Sequence, residues 1–423
     1  MSEEKRFRTK NGVELFTYEN DALHGFFLSL FVRAGSLFET EETQGTAHFF
    51  EHVAIRNVNA LHEGHLYELL DRYGLEFNAT TYNEMIQFYV SGATENFAVG
   101  AKILAEVLSP VILPKSEIDL ERSRIKAEIR EGDERNSMSG FTDGILYPDV
   151  SLRFPVIGTA KSVRGVTGKK LEEYRKKMLS PENIFFYATG NIREDGVFLL
   201  SQEVEKYDLI HGEKRRNIAH APAQFGKRSG KVFIKNADFS LVRFNFDMDM
   251  TKVTEAETDL LYDILLGSYN SRFFIEMSEK RGLFYDVNGA LERYINLGNF
   301  FFSFEVRQRD VTEAVKIAVD LLREAKTKLF PTDALCAAAY TVNAGMLYDD
   351  MRELNFTFAY DAHILESPYR TLSDRIAAYR KITPERIREV ANLFFTRENC
   401  TVTIKGNKKK IQPEIIESII AKL

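Results

Sequence analysis

Two segments of this 423-residue chain carry the same pattern at one fixed offset. Residues 166–191 read VTGKKLEEYRKKMLSPENIFFYATGN, and residues 382–407 read ITPERIREVANLFFTRENCTVTIKGN. They align without a gap. Thr167 falls on Thr383, Glu173 on Glu389, Glu182-Asn183 on Glu398-Asn399, and Gly190-Asn191 on Gly406-Asn407. Each copy reads as a Thr-capped helix, a turn and an apolar strand ending at Gly. A shared turn and a shared ending in one register favour duplication over a chance recurrence of common helix–turn–strand grammar. The chain is therefore expected to be built twice, as an N-terminal domain 1–210 and a homologous C-terminal domain 231–423. Between them, 211–230 is polar, holds Gly and Pro and lacks periodicity, so it reads as a linker.

Each half opens with strands. Gly25–Val32 (GFFLSLFV) is an apolar run, and Leu241–Met248 (LVRFNFDM) alternates. Helical patterns follow at Leu66–Tyr73, Phe97–Leu108 and Glu117–Glu131, then at Glu255–Leu266, Val311–Lys328 and Pro331–Arg352. Strand pairs mixed with helices argue for the α+β class, with two tandem domains that each pack a mainly antiparallel sheet against helices. No glycine-rich phosphate loop or dinucleotide fingerprint is present.

Composition narrows the function classes. A 44% hydrophobic chain with 33 Phe and only 10 Pro is not mainly disordered. The net charge of −6 provides no field for nucleic acid, and Lys408-Lys409-Lys410 reads as a solvated turn. No apolar stretch approaches the roughly 18 residues of a membrane span. The polar N-terminus argues against a secretory signal. Two distant cysteines, Cys336 and Cys400, rule out a disulfide framework, and a reducing, cytoplasmic setting is expected. Cys336 lies in the apolar run Ala334–Tyr340 and is expected in the core.

The chemistry is carried by His48-Phe49-Phe50-Glu51-His52. On a helix, His48 and His52 are i and i+4 and share a face. Two imidazoles so placed can share one metal ion, and Glu51 can reach a metal-bound water without being a ligand. Zinc lowers the pKa of such a water to about 7, and a carboxylate beside it can take the proton. This is the H-x-x-E-H order. The plain alternative is a helix with two surface histidines. A third ligand is needed, and zinc accepts a carboxylate. The helical stretch ERSRIKAEIRE, Glu121–Glu131, places Glu121 and Glu128 two turns apart on one face. Glu117, Glu131 and Glu134 read as solvated positions.

The segment GSLFETEETQGTAHFFEH, residues 35–52, resembles the opening of the M16 metallopeptidases, the group of pitrilysin and mitochondrial processing peptidase. That pattern has a Gly-Ser, an acidic stretch, a Gly and H-x-x-E-H, then a Glu ligand about 76 residues on with another Glu seven before it. Glu128 and Glu121 meet both spacings. The resemblance implies His48, His52 and Glu128 as ligands of one Zn²⁺ per chain and Glu51 as general base. It implies Glu121 as a supporting carboxylate. Asn78-Ala79-Thr80-Thr81 resembles the Asn-Ala-x-Thr element that begins an edge strand to which substrate backbone adds, with Asn78 and Ala79 as substrate-binding positions. The β-forming residues Tyr82–Val90 are expected to be that strand. Phe154-Pro155-Val156-Ile157-Gly158-Thr159 resembles the Pro-x-x-Gly-Thr segment of the family.

The second half resembles the family through Leu265-Leu266-Gly267 and Arg281-Gly282-Leu283-Phe284-Tyr285-Asp286-Val287, without a metal site. There the family has an Arg and a Tyr seven apart that bind and polarise substrate. Tyr285 fits the Tyr, but the Arg position is Ser278. The family includes two-chain enzymes in which one chain holds zinc and the other supplies the Arg and Tyr. The resemblance implies a zinc-dependent endopeptidase for short or unfolded peptides, half of a clamshell closed by a second subunit. That subunit is expected to be an M16-like chain supplying Arg and Tyr, or else a second copy of this one that works without the Arg or with Arg281 re-aimed. The alternatives are a non-catalytic scaffold or assembly subunit, or a processing peptidase for one precursor. His62 and His65 flank a Gly and read as a surface turn. His24, His211, His220 and His363 are isolated.

Overall fold

The computed structural model describes residues 4–135, 137–147, 151–218, 230–284, 287–348 and 351–423. The chain forms two compact units. One comprises Met1–Asn217 with Asp349–Arg370, the other Ile218–Tyr348 with Thr371–Leu423.

The first unit contains strands β1 (Lys5–Arg8), β2 (Glu14–Glu19), β3 (Gly25–Val32), β4 (Glu76–Thr81), β5 (Ile86–Ala93) and β6 (Ile184–Gly190). They form one six-stranded sheet in the order β1-β2-β6-β3-β5-β4, antiparallel throughout except where β2 runs parallel to β6. Its helices are α1 (Thr46–Leu61), α2 (Leu66–Tyr73), α3 (Phe97–Ala105), α4 (Lys115–Arg135), α5 (Ser137–Leu146), α6 (Gly168–Met178) and α7 (Gly196–Val204). The second sheet holds β7 (Lys231–Asn236), β8 (Ser240–Asp249), β9 (Val287–Arg293), β10 (Leu297–Val306) and β11 (Cys400–Gly406), in the order β7-β11-β8-β10-β9. The helices that follow along the chain are α8 (Glu255–Tyr262), α9 (Val311–Thr327), α10 (Thr332–Tyr348), α11 (Met351–Ala359), α12 (Leu372–Arg380), α13 (Pro384–Phe394) and α14 (Pro413–Ile420). The fold is α+β, with a mainly antiparallel sheet and helices in each unit.

The repeat read from the sequence is structural. Thr167 caps α6 by accepting from the Lys170 amide, and Thr383 caps α13 by accepting from the Arg386 amide. β6 and β11 occupy equivalent places, each parallel to one neighbour and antiparallel to the other. The Asn of each shared turn does one job twice. Asn183 Nδ2 donates to the carbonyls of Met178 (2.9 Å) and Arg33 (3.0 Å). Asn399 Nδ2 donates to those of Phe394 (2.9 Å) and Asp247 (2.7 Å). Each ties the end of a helix to a neighbouring segment of the sheet.

The apolar run Gly25–Val32 is buried on both faces of its sheet. Phe26, Leu28, Leu30 and Val32 join the core that includes residues of α1, α3 and α6. The opposite face is met by α11, which packs on β3 and β6. Buried Asn355 of α11 accepts from Ser29 Oγ (2.7 Å) and donates to the carbonyls of Phe27 (3.1 Å) and Tyr187 (2.8 Å). Gly190 adopts φ +87°, and a Cβ there would meet Met351 Sδ, so the Gly that ends this copy of the repeat makes room for α11.

Three expectations are corrected. The span 231–423 does not stay together, because Asp349–Arg370 clusters with the first unit. The cause is the buried polar and apolar match of α11 to the first sheet. The single helix expected over Pro331–Arg352 comprises α10 and the start of α11, with residues 349–350 outside those described. Cys336 is exposed, because α10 turns Leu335, Ala338 and Ala339 inward and leaves Cys336 on the outer side. Of the expected linker, residues 219–229 lie outside the described residues.

Candidate metal centre

Gly45 caps the start of α1 and adopts φ +81°. A Cβ on Gly45 would lie 2.7 Å from the Cα of Gly158, so the Pro-x-x-Gly-Thr segment seats directly against the helix start. The buried Glu39 carboxylate accepts from the amides of Gly45 (2.7 Å) and Ala47 (2.8 Å), which satisfies donors a helix start leaves unpaired. Burial pushes the Glu39 carboxyl up to about 7 against the pull of these amides.

One turn further, His48 and His52 project from the same face, with ring centroids 4.7 Å apart. α4 packs on α1 and brings Glu128 opposite them. Glu128 Oε2 lies 3.2 Å from His48 Nε2 and 3.6 Å from His52 Nε2. Candidate ligand atoms of the three residues lie within 4.8 Å of one another, the one such group among the described residues. A tetrahedral zinc with bonds of about 2.1 Å spaces its ligand atoms by roughly 3.4 Å. The two imidazoles and the carboxylate therefore fit that ion in chemistry and in spacing.

Electrostatics agree with a cation site. Burial alone disfavours a charged His48, but its bonds to Glu128 and Glu51 outweigh burial and raise it to about 9. The His48 bond in turn holds the Glu128 carboxyl below the usual carboxylate range.

The surrounding residues hold these side chains in place. Glu121 is buried, and its Oε2 lies 3.4 Å from His52 Nδ1. Its Oε1 accepts from Arg124 Nη1 at 2.7 Å, with Arg56 Nε at 3.9 Å. Burial opposes the Glu121 charge, but His52, Arg124 and Arg56 win and keep its carboxyl low. Arg56 also forks onto Glu117 at 2.8 and 2.6 Å, so Glu117 is pinned rather than merely solvated. Buried Glu51 has its Oε2 3.6 Å from His48 Nδ1 and accepts a hydrogen bond there from the Thr81 hydroxyl.

Asn78 and Ala79 lie on β4, the terminal strand of the sheet. This corrects the expected edge strand. Tyr82–Val90 is not at the edge, because the Tyr82 amide bonds the Met85 carbonyl in a tight turn and the chain returns as the inner strand β5. Asn78 Oδ1 accepts from the Ala79 amide at 2.8 Å. Tyr285 lies outside the described residues. Ser278 stands in the short helix Phe274–Glu279, and Arg281 is paired with Glu276 at 2.9 Å. His62 pairs with Glu106 at 2.7 Å. His363 packs against the Phe16 ring at a tilt of 30° and meets Glu4 at 3.0 Å.

Residues 17–142 match the family described as insulinase (peptidase family M16), and residues 165–339 match the peptidase M16 inactive domain. The chain belongs to peptidase family M16. An uncharacterized zinc protease of Mycobacterium tuberculosis is 23% identical to this M16 chain, over 98% of this chain and 96% of the relative. The crystal structure of a peptidase M16 inactive domain from Pseudomonas fluorescens matches the fold with a TM-score of 0.84 at 17% identity, covering 96% of this chain and 98% of that one. The periplasmic protease PqqL of Escherichia coli matches with a TM-score of 0.81 at 18% identity, over 100% of this chain and 50% of PqqL.

Sequence reasoning about this M16 chain missed three supports of the site: Thr81 on Glu51, Arg124 on Glu121, and Glu39 on the α1 amides. Arg124 was legible as the i+3 partner of Glu121. The Thr81–Glu51 contact, 30 residues apart, depends on tertiary folding, and the Glu39 contacts span only six and eight residues but depend on the course of the loop before α1.

Proposed function

We propose that this chain is a zinc-dependent endopeptidase, one zinc per chain, acting on short or unfolded peptides. The observation that carries the reading is the convergence of His48, His52 and Glu128 beside the buried Glu51 carboxylate. The two imidazoles and Glu128 would hold the ion, with Glu121 fixing the His52 ring. When bound, zinc supplies Lewis-acid activation of water and of the scissile carbonyl. Glu51 takes the proton from the attacking water and returns it to the leaving amine. β4, at the sheet edge, offers backbone groups around Asn78 and Ala79 that an extended peptide can pair with.

A second M16-like chain would contribute the Arg that Ser278 replaces, along with a Tyr, and close the chamber; a second copy of this chain is the other arrangement. The PqqL match supports a second half, since PqqL is about twice the length matched here. Free cysteines suit a cytoplasmic setting.

The test is cleavage of a quenched peptide library by the purified chain, with bound zinc assayed on the same sample. Glu51→Gln and chelator-treated protein are the controls. Cleavage lost in both supports a self-sufficient peptidase. Stoichiometric zinc without cleavage supports a catalytic chain that needs its partner. Absence of zinc binding removes the enzyme reading.

A further inference from the structure

β4 does more than border the sheet. Its residues alternate between exposed and half-buried, with Phe77, Ala79 and Thr81 on the more buried side. The strand packs on α1, and the Thr81 hydroxyl donates to Glu51 Oε2. Glu51 is a buried carboxylate, and among the described residues this is the hydrogen bond its side chain accepts from a neutral donor; His48 Nδ1 stands farther off at 3.6 Å. Buried carboxylates need such donors, and losing one is costly. A hydroxyl fixed on Oε2 stops the carboxylate rotating and leaves Oε1 for other traffic.

We propose that Thr81 is a positioning residue for peptide hydrolysis, its hydroxyl holding the Glu51 carboxylate and tying that base to the strand on which the peptide is laid. The inference rests on the peptidase reading above. In the reaction, Oε1 of Glu51 takes one proton from water as the new C–O bond forms. That proton passes to the amine as the C–N bond breaks, and Thr81 keeps its own proton throughout. Peptide pairing with β4 and proton transfer at Glu51 are then linked through one side chain, because Thr81 closes the β4–β5 register opposite Ile86.

Thr81→Val keeps the β-branched shape and removes the hydroxyl, whereas Thr81→Ser restores a hydroxyl. With the zinc-loaded chain, and with its partner if one proves necessary, Thr81→Val is expected to lower kcat about tenfold or more with KM within about twofold. Bound zinc should be unchanged, and Thr81→Ser should behave like the native chain. A Thr81→Val enzyme with native kcat, a loss confined to KM, or a Ser variant no better than Val would overturn the proposal. A native protein that binds no zinc would instead sink the peptidase reading, and this inference with it.

A thermal double-mutant cycle with Glu51→Leu gives an answer if zinc is bound and no peptide is cut. Thr81→Val should lower Tm by about 2–4 °C in the native background and leave it unchanged in Glu51→Leu. Additive shifts would overturn the bond itself.

Discussion

Asn183 and Asn399 make the same two hydrogen bonds, one to the last turn of a helix and one to the neighbouring sheet segment, in the two halves of the chain. Both side chains are buried, and each holds two carbonyls that would otherwise lack this donor. Replacing either by Ala should destabilise its own unit by about 2–3 kcal/mol. Denaturant unfolding followed by hydrogen exchange would assign each loss to a unit. Equal protection in both units after Asn183→Ala would contradict the assignment.

Glu121 meets His52 Nδ1 at 3.4 Å, so in the proposed zinc site it would act through His52 and not by contact with the ion. Glu121→Gln should leave the fold intact and weaken zinc binding about 10–100-fold. Competition against a chromophoric chelator measures it. Unchanged affinity would mean that Arg124 and Arg56 orient nothing that matters to the metal.

Asp263 gives the second unit a pH dependence. Burial, helped by the charge of Asp259, pushes its carboxyl up to about 6, above an unfolded value near 3.9. Between those values the folded chain holds a proton that the unfolded chain has released. Stability is therefore greatest below the lower value and falls as pH rises through about 6. The loss is on the order of 3 kcal/mol. Asp263→Asn should flatten the Tm profile between about pH 4 and 7 and raise Tm at neutral pH. A variant profile parallel to the native one would count against this account.

Asn355 is completely buried and bonded three ways to the first sheet. Asn355→Leu should cost about 2–3 kcal/mol, because two carbonyls and the Ser29 hydroxyl lose this partner. Amide exchange in β3 and β6 is the sensitive readout. If those strands keep native protection, α11 is not held by this residue.

Periodicity carried much of the fold into view. Gly25–Val32 and Leu66–Tyr73 coincide with β3 and α2 because their apolar spacing is settled locally. The proximity of His48 to His52 was legible for the same reason, since i and i+4 share a helix face whatever surrounds them. The position of Glu128 opposite them requires α4 to pack on α1, which local periodicity cannot dictate; the family spacing supplied it. Tyr82–Val90 was misjudged because β-forming residues continue through the turn, and only the Tyr82–Met85 bond separates edge strand from inner strand. No local pattern in the sequence marks Asn355. Its importance comes from a sheet face formed more than 150 residues earlier.

The return of α11 has a consequence for the order of biosynthesis. A ribosome delivers every strand of the first sheet by Gly190, yet Met351–Ala359 emerges only after most of the second half has been made. At about 5–20 residues per second, the face bearing Phe27 and Tyr187 waits on the order of ten seconds for its cover. A nascent chain in that interval exposes aromatic surface and has a transient need for a chaperone, and a message truncated after the first sheet would yield a protein that cannot finish folding.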